Sequence, residues 1–134
     1  MEPFLVKEAS NISGARIIAV GVGGGGGNMI NHMLKEGVTG IEMLLINTDA
    51  QVLSENCAAS KIQIGVKLTK GLGAGMKPNI GKDSALENYE EIRTALDGAD
   101  IVFISAGLGG GTGTGAAPVV AQIAKEVGAL TISV

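Results

Sequence analysis

Residues 99–126 read ADIVFISAGLGGGTGTGAAPVVAQIAKE, and they indicate the fold more clearly than any other stretch of the chain. An apolar run at 101–106 leads into the glycine-rich run GLGGGTGTG at 107–115, and a helix-like run follows at 117–126. A strand, a glycine-rich loop and a helix in that order form an anion site, because glycines let backbone N–H groups face a ligand and the helix N-terminus adds partial positive charge. A flexible hinge is the alternative, but a hinge does not need two threonines at the start of a helix.

A second glycine-rich run, GVGGGGGN (21–28), lies between the apolar run 16–20 and another helix-like segment. Gly21, Gly23 and Gly26 have the spacing of the dinucleotide-binding fingerprint, and Asp49 stands where its ribose-binding acid is expected. This motif alone is weak, because a tight turn with close helix–strand packing has the same spacing. Two glycine loops in one short chain nevertheless indicate a polyphosphate held from two sides, since a simple dinucleotide-binding domain uses only one.

The composition describes a folded domain and excludes several classes of function. The chain has 134 residues, of which 46% are hydrophobic and 17% charged, so it can form one domain with a core. A net charge of −3, three aromatic residues and no dense basic run argue against nucleic-acid binding. The single cysteine, Cys57, excludes an internal disulfide and a thiolate metal cluster. No signal peptide is recognisable, and glycines interrupt the uncharged run 101–124, so we expect a cytoplasmic protein without direct membrane insertion.

The order of the apolar runs predicts an α/β fold with a Rossmann-like parallel sheet and helices on both faces. Predicted strands cover 16–21, 41–47, 61–65, 101–105 and 130–134, and predicted helices cover 28–36, 49–56, 79–96 and 117–126. The strand at 61–65 alternates polar and apolar residues, which is typical of an edge strand. The predicted helix 79–96 has a capping-box pair, Ser84 and Glu87, and an apolar stripe that consists of Leu86, Tyr89, Ile92 and Leu96.

Both glycine-rich runs and a third, GLGAGMKPNIG (71–81), follow predicted strands. Ligands of such sheets bind outside the carboxyl ends of the strands, so we expect all three runs to border one site. The chain stops on its last predicted strand, which has no helix to cover it, and we therefore expect a truncated piece of a longer protein.

No side chain stands out as a catalytic group. His32 lies on a predicted helix away from the glycine runs, Cys57 has no neighbouring base, and Asp97 and Asp100 flank a turn. The P-loop pattern G-x-x-x-x-G-K-[ST] is absent, so phosphate charge would be met by N–H groups, helix dipoles and Mg²⁺. The sequence predicts a binding site with no catalytic residue and no protein metal cluster in this chain.

Five motifs together resemble the tubulin/FtsZ family of GTPases in order and spacing. They are GVGGGGGN (21–28), NTDAQ (47–51), KIQIG (61–65), GLGAG (71–75) and GGGTGTG (109–115). The resemblance implies a GTP-hydrolysing protein of bacterial cell division that polymerises head to tail into a ring at midcell. It also implies GTP or GDP with Mg²⁺ as ligands, a homopolymer as the assembly, and division-ring adaptor proteins as partners.

The same resemblance implies individual site residues. Gly24, Gly25, Gly26, Gly27 and Asn28 would form the first loop, under the α- and β-phosphates. Asn47 and Asp49 would lie near the phosphates and ribose, and Gly71 to Gly75 would form the loop that senses the γ-phosphate. Gly110, Gly111, Thr112, Gly113 and Thr114 would hold the phosphates.

The resemblance covers only part of that family's machinery. In members of that family, several functional groups come after the part that corresponds to Val134. They are the guanine-recognising residues, the ribose acid and arginine, and the acidic loop that acts on the next subunit's nucleotide. Residues 15–134 would therefore be an incomplete GTP-binding subdomain without the central helix and C-terminal domain, and 1–14 an N-terminal arm. Such a chain alone would have negligible turnover. The alternatives are a Rossmann-type NAD-binding module and a non-catalytic assembly module.

Overall fold

The computed structural model describes residues 14–56, 60–75, 77–107 and 111–134, in which strands and helices alternate. The strands are β1 (Ile17–Val22), β2 (Glu42–Asn47), β3 (Ser60–Gln63), β4 (Ile101–Ala106) and β5 (Leu130–Ser133). The helices are α1 (Gly23–Lys35), α2 (Ala50–Ser54), α3 (Val66–Thr69), α4 (Pro78–Glu87), α5 (Tyr89–Leu96) and α6 (Gly111–Glu126). Cys57, Gly110 and nearly all of the predicted arm lie outside the described residues.

The five strands form one parallel sheet in the order β3-β2-β1-β4-β5. β1 lies in the middle, where Ile18 is in register with Glu42 of β2 and Val102 of β4, and all six of its residues are buried. The predicted edge position of 61–65 is confirmed, because β3 lies at one end of this order. The predicted α/β fold with a parallel sheet is likewise confirmed.

Helices cover both faces of the sheet, as the sequence predicts. Neighbouring residues of a strand point to opposite faces, so Ile18 packs in one core with Ile92 of α5 and Ile123 of α6. Ala19 packs in a second core with Ile30 of α1. In the part of the chain that the structure describes, no helix is long and apolar enough to cross a membrane.

Two helices begin earlier than the sequence predicts. α1 starts at Gly23 instead of residue 28, and α6 starts at Gly111 instead of residue 117, so much of each predicted glycine loop is helix. Glycine is a poor helix former, which is why the sequence favoured loops. Tertiary packing outweighs this preference. A Cβ atom on Gly26 would lie 2.8 Å from the carbonyl carbon of Gly21, so a residue with a side chain does not fit at this position of the helix.

The predicted helix 79–96 is two helices, separated at Asn88. The Oδ1 atom of Asn88 accepts a hydrogen bond from the N–H group of Gly65 at 2.9 Å, which fixes the break against a distant part of the chain. The predicted capping box is wrong, because α4 begins at Pro78 and Ser84 is buried in its interior. Leu86, on the α4 side of the break, is 48% exposed. The other members of the predicted stripe pack on the core: Tyr89, Ile92 and Leu96.

Candidate functional site

A cleft of about 470 Å³ opens at the carboxyl ends of β1, β2 and β4. Its volume lies within the range of small-molecule sites, about 300–1,000 Å³. Four described segments line it: the start of α1, the segment from β2 into α2, the loop before α4, and the start of α6 with the end of β4. The lining residues are Val22, Gly24, Gly25, Asn47, Thr48, Asp49, Val52, Leu72, Gly73, Ala74, Gly75, Gly107, Gly111, Thr112 and Gly113.

The N-termini of two long helices meet at this cleft. α1 has 13 residues and α6 has 16, and the first turns of both contribute glycines to the lining. The first four N–H groups of a helix have no partner within it, and the aligned peptide dipoles give that end partial positive charge. Neither first turn contains an acidic residue that would offset this charge. The cleft is therefore suited to an anion with several oxygen acceptors.

The two helix N-termini come together because glycines allow backbone to touch backbone. A Cβ atom on Gly23 would lie 2.8 Å from the N atom of Gly113, and one on Gly25 would lie 2.6 Å from the Cα atom of Gly107. Real Cβ atoms are not found so close to backbone atoms. Any larger residue would push α1 away from α6 and the end of β4, and would widen the gap between the two sets of N–H groups.

A buried pair of hydroxyl groups connects two walls of the cleft. The Oγ1 atoms of Thr48 and Thr112 lie 2.8 Å apart, and either can be the donor. Thr48 is fully buried and Thr112 is 7% exposed. This hydrogen bond joins the segment after β2 to the first turn of α6, which are 64 residues apart in sequence.

Two polar side chains shape the turn from β2 into α2. Asn47 is buried, and its Oδ1 atom accepts the N–H group of Asp49 at 3.2 Å. The Oδ1 atom of Asp49 in turn accepts the N–H groups of Gln51 at 3.0 Å and Val52 at 3.2 Å, and thereby caps α2. Both side chains thus have structural partners in addition to their place in the cleft lining.

The loop 71–75 forms the third wall. Leu72 makes an isolated antiparallel bridge with Asp49, and the N–H group of Ala50 donates to the carbonyl oxygen of Gly71 at 3.3 Å. These bonds hold the loop against the end of β2. Leu72 is 85% exposed at the rim.

The structure brings eight of the sequence-predicted site residues to the cleft: Gly24, Gly25, Asn47, Asp49, Gly75, Gly111, Thr112 and Gly113. Gly26 and Gly27 are buried within α1, where Gly26 lies against Gly21 and Ser105. Asn28 is exposed on α1, and Thr114 is exposed on α6, where it lines two other depressions instead of the cleft. Gly110 lies outside the described residues, so the structure does not place it.

Sequence reasoning missed several residues of the lining, of which Thr48 is the most consequential. It lies between Asn47 and Asp49 in the NTDAQ motif, and its position just after a buried strand is a signal that could have found it. Gly73 and Gly107 belong to predicted glycine runs but were not singled out. Leu72 lies within the range 71–75 that was predicted to border the site, whereas Val52 had no polar signal at all.

Charge at the cleft is sparse. Asp49 is the single ionisable side chain among the described lining residues, so no lysine or arginine there faces an anion. Within the described ranges, no group of three His, Cys, Asp or Glu residues is placed to hold a metal ion. Binding of a polyanion would therefore depend on helix N-termini and on any cation that accompanies the ligand.

An ion pair with perturbed titration lies at the opposite end of the sheet. The Nε atom of Arg16 donates to Oε2 of Glu42 at 2.6 Å, and Nη1 donates to the carbonyl oxygen of Asp97 at 2.6 Å. The hydrogen bond from Arg16 holds the pKa of Glu42 below its usual value and raises the pKa of Arg16. This pair joins β1 and β2 to the turn before β4, and it supports the sheet away from the cleft.

Comparison with known proteins identifies the family. Residues 16–134 match the model of the tubulin/FtsZ family, GTPase domain. The chain belongs to the tubulin/FtsZ family. It is 59% identical over 131 residues to the cell division protein FtsZ of Buchnera aphidicola subsp. Schizaphis graminum (strain Sg), a match that covers 98% of this chain and 34% of that relative. The chain thus spans about a third of the length of this curated relative.

Solved structures of tubulin/FtsZ proteins have the same fold. The empty FtsZ dimer of M. jannaschii matches with a TM-score of 0.87 and 50% identity, over 99% of this chain and 39% of the other. CetZ2 from Haloferax volcanii, a GTPγS-bound protofilament, matches with a TM-score of 0.75 and 27% identity, over 88% of this chain and 39% of the other. The predicted family resemblance is confirmed, and it argues against the NAD-binding alternative.

Proposed function

We propose that this chain binds GTP and GDP in the cleft and forms the nucleotide-binding part of a self-assembling GTPase of the bacterial division ring. The convergence of two helix N-termini, in a cleft whose described lining has no basic side chain, carries this proposal because it offers many N–H donors to a polyphosphate. The family supports it further: CetZ2 is a GTPγS-bound protofilament in its solved structure, and M. jannaschii FtsZ is a dimer.

In this proposal, backbone groups hold the phosphates. Gly24 and Gly25 donate from α1, and the first turn of α6 donates from the facing side through Gly111, Thr112 and Gly113. Gly110 precedes them in sequence and would take part as the resemblance implies. Asn47 and Asp49 lie by the phosphates and ribose, and Gly75 lies on the wall that meets the γ-phosphate. Gly26, Gly27, Asn28 and Thr114 are off the cleft, so their contribution would be to the shape of the two helices.

The residues present fit a Mg²⁺ ion that arrives with the nucleotide. Mg²⁺ prefers oxygen ligands, keeps several waters, and is commonly bound by substrate phosphates with one or two protein oxygens. The described lining residues offer side-chain oxygens from the hydroxyls of Thr48 and Thr112, the amide of Asn47 and the carboxylate of Asp49. When bound, Mg²⁺ would offset phosphate charge that no basic side chain of the described lining meets.

Hydrolysis would need a water-positioning group that the described lining of this cleft does not supply. Phosphoryl transfer depends mainly on positioning and charge stabilisation, and a residue must orient the attacking water. Asp49, the one carboxylate of the described lining, is engaged as the cap of α2. We therefore propose that acids of an adjacent subunit place the water in a head-to-tail homopolymer, located in the cytoplasm at the division ring with its adaptor proteins. The purified chain should release phosphate from GTP negligibly.

The deciding experiment is equilibrium binding of the 134-residue chain to GDP, ADP and NAD with Mg²⁺, by isothermal titration calorimetry. Binding of GDP supports the proposal, and equal binding of ADP would show that base selection depends on groups outside this chain. Preference for NAD would overturn it in favour of the dinucleotide alternative. Binding of none of the three would reject nucleotide binding by this chain.

Substitution of Thr112 tests the site itself. Thr112→Ala removes a hydroxyl from the first turn of α6 and leaves the hydroxyl of Thr48 without its partner, so GDP affinity should fall about tenfold. Thr94→Ala is the matched control, because Thr94 is exposed on α5 at the other end of the sheet. Equal affinity of the Thr112→Ala variant and the unsubstituted chain would count against the cleft.

The assembly-module alternative has a separate test. Sedimentation of the chain with and without GTP and Mg²⁺ measures whether self-association depends on nucleotide. Polymers that form equally in both conditions would favour a module whose role is assembly alone.

A further inference from the structure

The C-terminal end of α4 holds the short helix that leads into the third wall of the cleft. The carboxylate of Glu87 accepts two backbone N–H groups of α3, from Lys67 to Oε2 at 3.2 Å and from Leu68 to Oε1 at 3.2 Å. Next to it, Oδ1 of Asn88 accepts the N–H group of Gly65 at 2.9 Å. Three orphan donors at the start of α3, the N–H groups of Gly65, Lys67 and Leu68, are thus satisfied from one distant helix end.

The bonds continue from α3 into the loop 71–75. The N–H group of Thr69 donates to the carbonyl oxygen of Gly65 at 2.7 Å, and Oγ1 of Thr69 accepts the N–H group of Gly71 at 3.2 Å. The N–H group of Leu72 donates to the carbonyl oxygen of Thr69 at 3.1 Å. Glu87 is therefore hydrogen-bonded to the backbone of α3, and Thr69 at the end of α3 is hydrogen-bonded to Gly71 and Leu72 of the loop.

The other end of α4 contacts the loop and the facing wall as well. The N–H group of Lys77, which caps α4, donates to the carbonyl oxygen of Ala74 at 3.1 Å. Gly81 of α4 lies so close to α6 that a Cβ atom there would be 2.9 Å from the Cα atom of Thr112. One helix thus contacts both the first turn of α6 and the loop opposite it.

We propose that Glu87 is a positioning residue for the third wall of the cleft. It holds the loop 71–75 in the conformation that contacts the terminal phosphate of a bound nucleoside triphosphate. The inference rests on the proposed function, and it adds a residue that lies outside the cleft and touches no ligand. Its physical basis is that α3 has a single turn and cannot hold its own geometry without capping, since short helices are marginal in water. Loss of the carboxylate leaves the loop attached through its bonds to Asp49, Ala50 and Lys77, without a capped α3 on its other side.

The test compares three variants of the 134-residue chain. Glu87→Ala removes both acceptors, Glu87→Gln keeps one amide oxygen in nearly the same place, and Glu90→Ala removes an exposed carboxylate from neighbouring α5 as the matched control. Hydrogen exchange measures the amides of 65–75, and calorimetry measures affinity for GDP and for GTPγS, each with Mg²⁺.

In Glu87→Ala we expect faster exchange at Lys67, Leu68 and Gly71, and a loss of GTPγS affinity of about fivefold, the size that loss of a helix cap usually produces. GDP affinity should stay within about twofold, because the diphosphate is held by the helix N-termini. Glu87→Gln should restore part of both changes, and Glu90→Ala should alter neither.

Each outcome decides one part of the inference. Unchanged exchange at 71–75 in Glu87→Ala overturns the positioning role whatever the nucleotide data show. Faster exchange with equal losses for GDP and GTPγS overturns the assignment to the terminal phosphate and leaves a general structural role. If the unsubstituted chain binds neither nucleotide, the proposed function and the phosphate assignment both fail, and the exchange data alone decide whether Glu87 holds the loop.

Discussion

Alanine substitutions at two adjacent glycines of α1 distinguish a role in packing from a role in ligand contact. Gly26 and Gly27 are both buried in α1 and both belong to the glycine run that resembles a phosphate loop. A Cβ atom on Gly26 would lie 2.8 Å and 2.9 Å from backbone atoms of Gly21, with the carbonyl oxygen of Ser105 closer still. A Cβ atom on Gly27 would meet the side chains of Asn56 and Leu45 at 3.6 Å and 3.7 Å, which are ordinary contact distances.

The expected magnitudes follow from these distances. Alanine in place of a helical glycine stabilises by about 1 kcal/mol, and this gain is common to both variants. Overpacking typically costs about 1–3 kcal/mol. Because the atoms around Gly26 are backbone and cannot rotate aside, we expect the upper part of that range there and almost none at Gly27. Gly26→Ala should therefore be less stable than Gly27→Ala by about 2–3 kcal/mol.

Thermal and urea unfolding followed by circular dichroism measure this difference. For a chain of this size, the two variants should differ in Tm by about 8–12 °C, with Gly27→Ala at or above the unsubstituted chain. GDP affinity should change little in Gly27→Ala. Equal stability of the two variants would refute the packing argument. A loss of GDP affinity in Gly27→Ala without loss of stability would show that Gly27 contributes to ligand binding.

Two further predictions concern pairs of side chains. Thr48→Val should destabilise the fold by about 1–3 kcal/mol, because the buried hydroxyl of Thr112 loses its partner. The double variant Thr48→Val, Thr112→Val should recover part of that loss. Urea unfolding of the unsubstituted chain, the two single variants and the double variant measures the coupling energy, and strictly additive effects would contradict the hydrogen bond between the two hydroxyls. The lowered pKa of Glu42 means that its ion pair stabilises the fold above the carboxyl's ordinary value of 4.5 and that this contribution is lost as the pH falls through the lower folded value. Both side chains are substantially exposed, so Glu42→Gln should cost less than about 1 kcal/mol at neutral pH and nothing in strong acid, and an equal cost at both pH values would contradict the linkage.

Much of the fold could be predicted because its signals are local. The five strands lie within two residues of their predicted bounds, and β3 is at the edge where its alternating pattern placed it. The position of the site followed from three glycine runs after apolar strands, since parallel strands present their carboxyl ends on one edge. The break at Asn88 was not predictable, because the N–H group of Gly65 that fixes it lies 23 residues away.

The site was predicted less completely than the fold. The sequence located the glycines of both helix N-termini but could not distinguish Gly25, which borders the cleft, from Gly26, which packs against β1 and β4. It also passed over Thr48, since a threonine after a strand has no distinctive pattern until its hydroxyl meets that of Thr112. These distinctions depend on which atoms face each glycine or hydroxyl across the fold.

The sequence by itself determined the order of the elements, the parallel sheet, the family and the edge at which a ligand would bind. The element order, the sheet and the binding edge depend on apolar periodicity and on runs of glycine, which are properties of neighbouring residues, whereas the family follows from the resemblance of several motifs to known proteins. Only the tertiary structure decided that the glycines at 23–27 and at 111–115 are helical, that α4 and α5 are separate, and which side chains connect the walls of the cleft. The reason is physical: intrinsic propensity disfavours helical glycine by about 1 kcal/mol per residue, and only close approach of backbones from distant segments outweighs that preference.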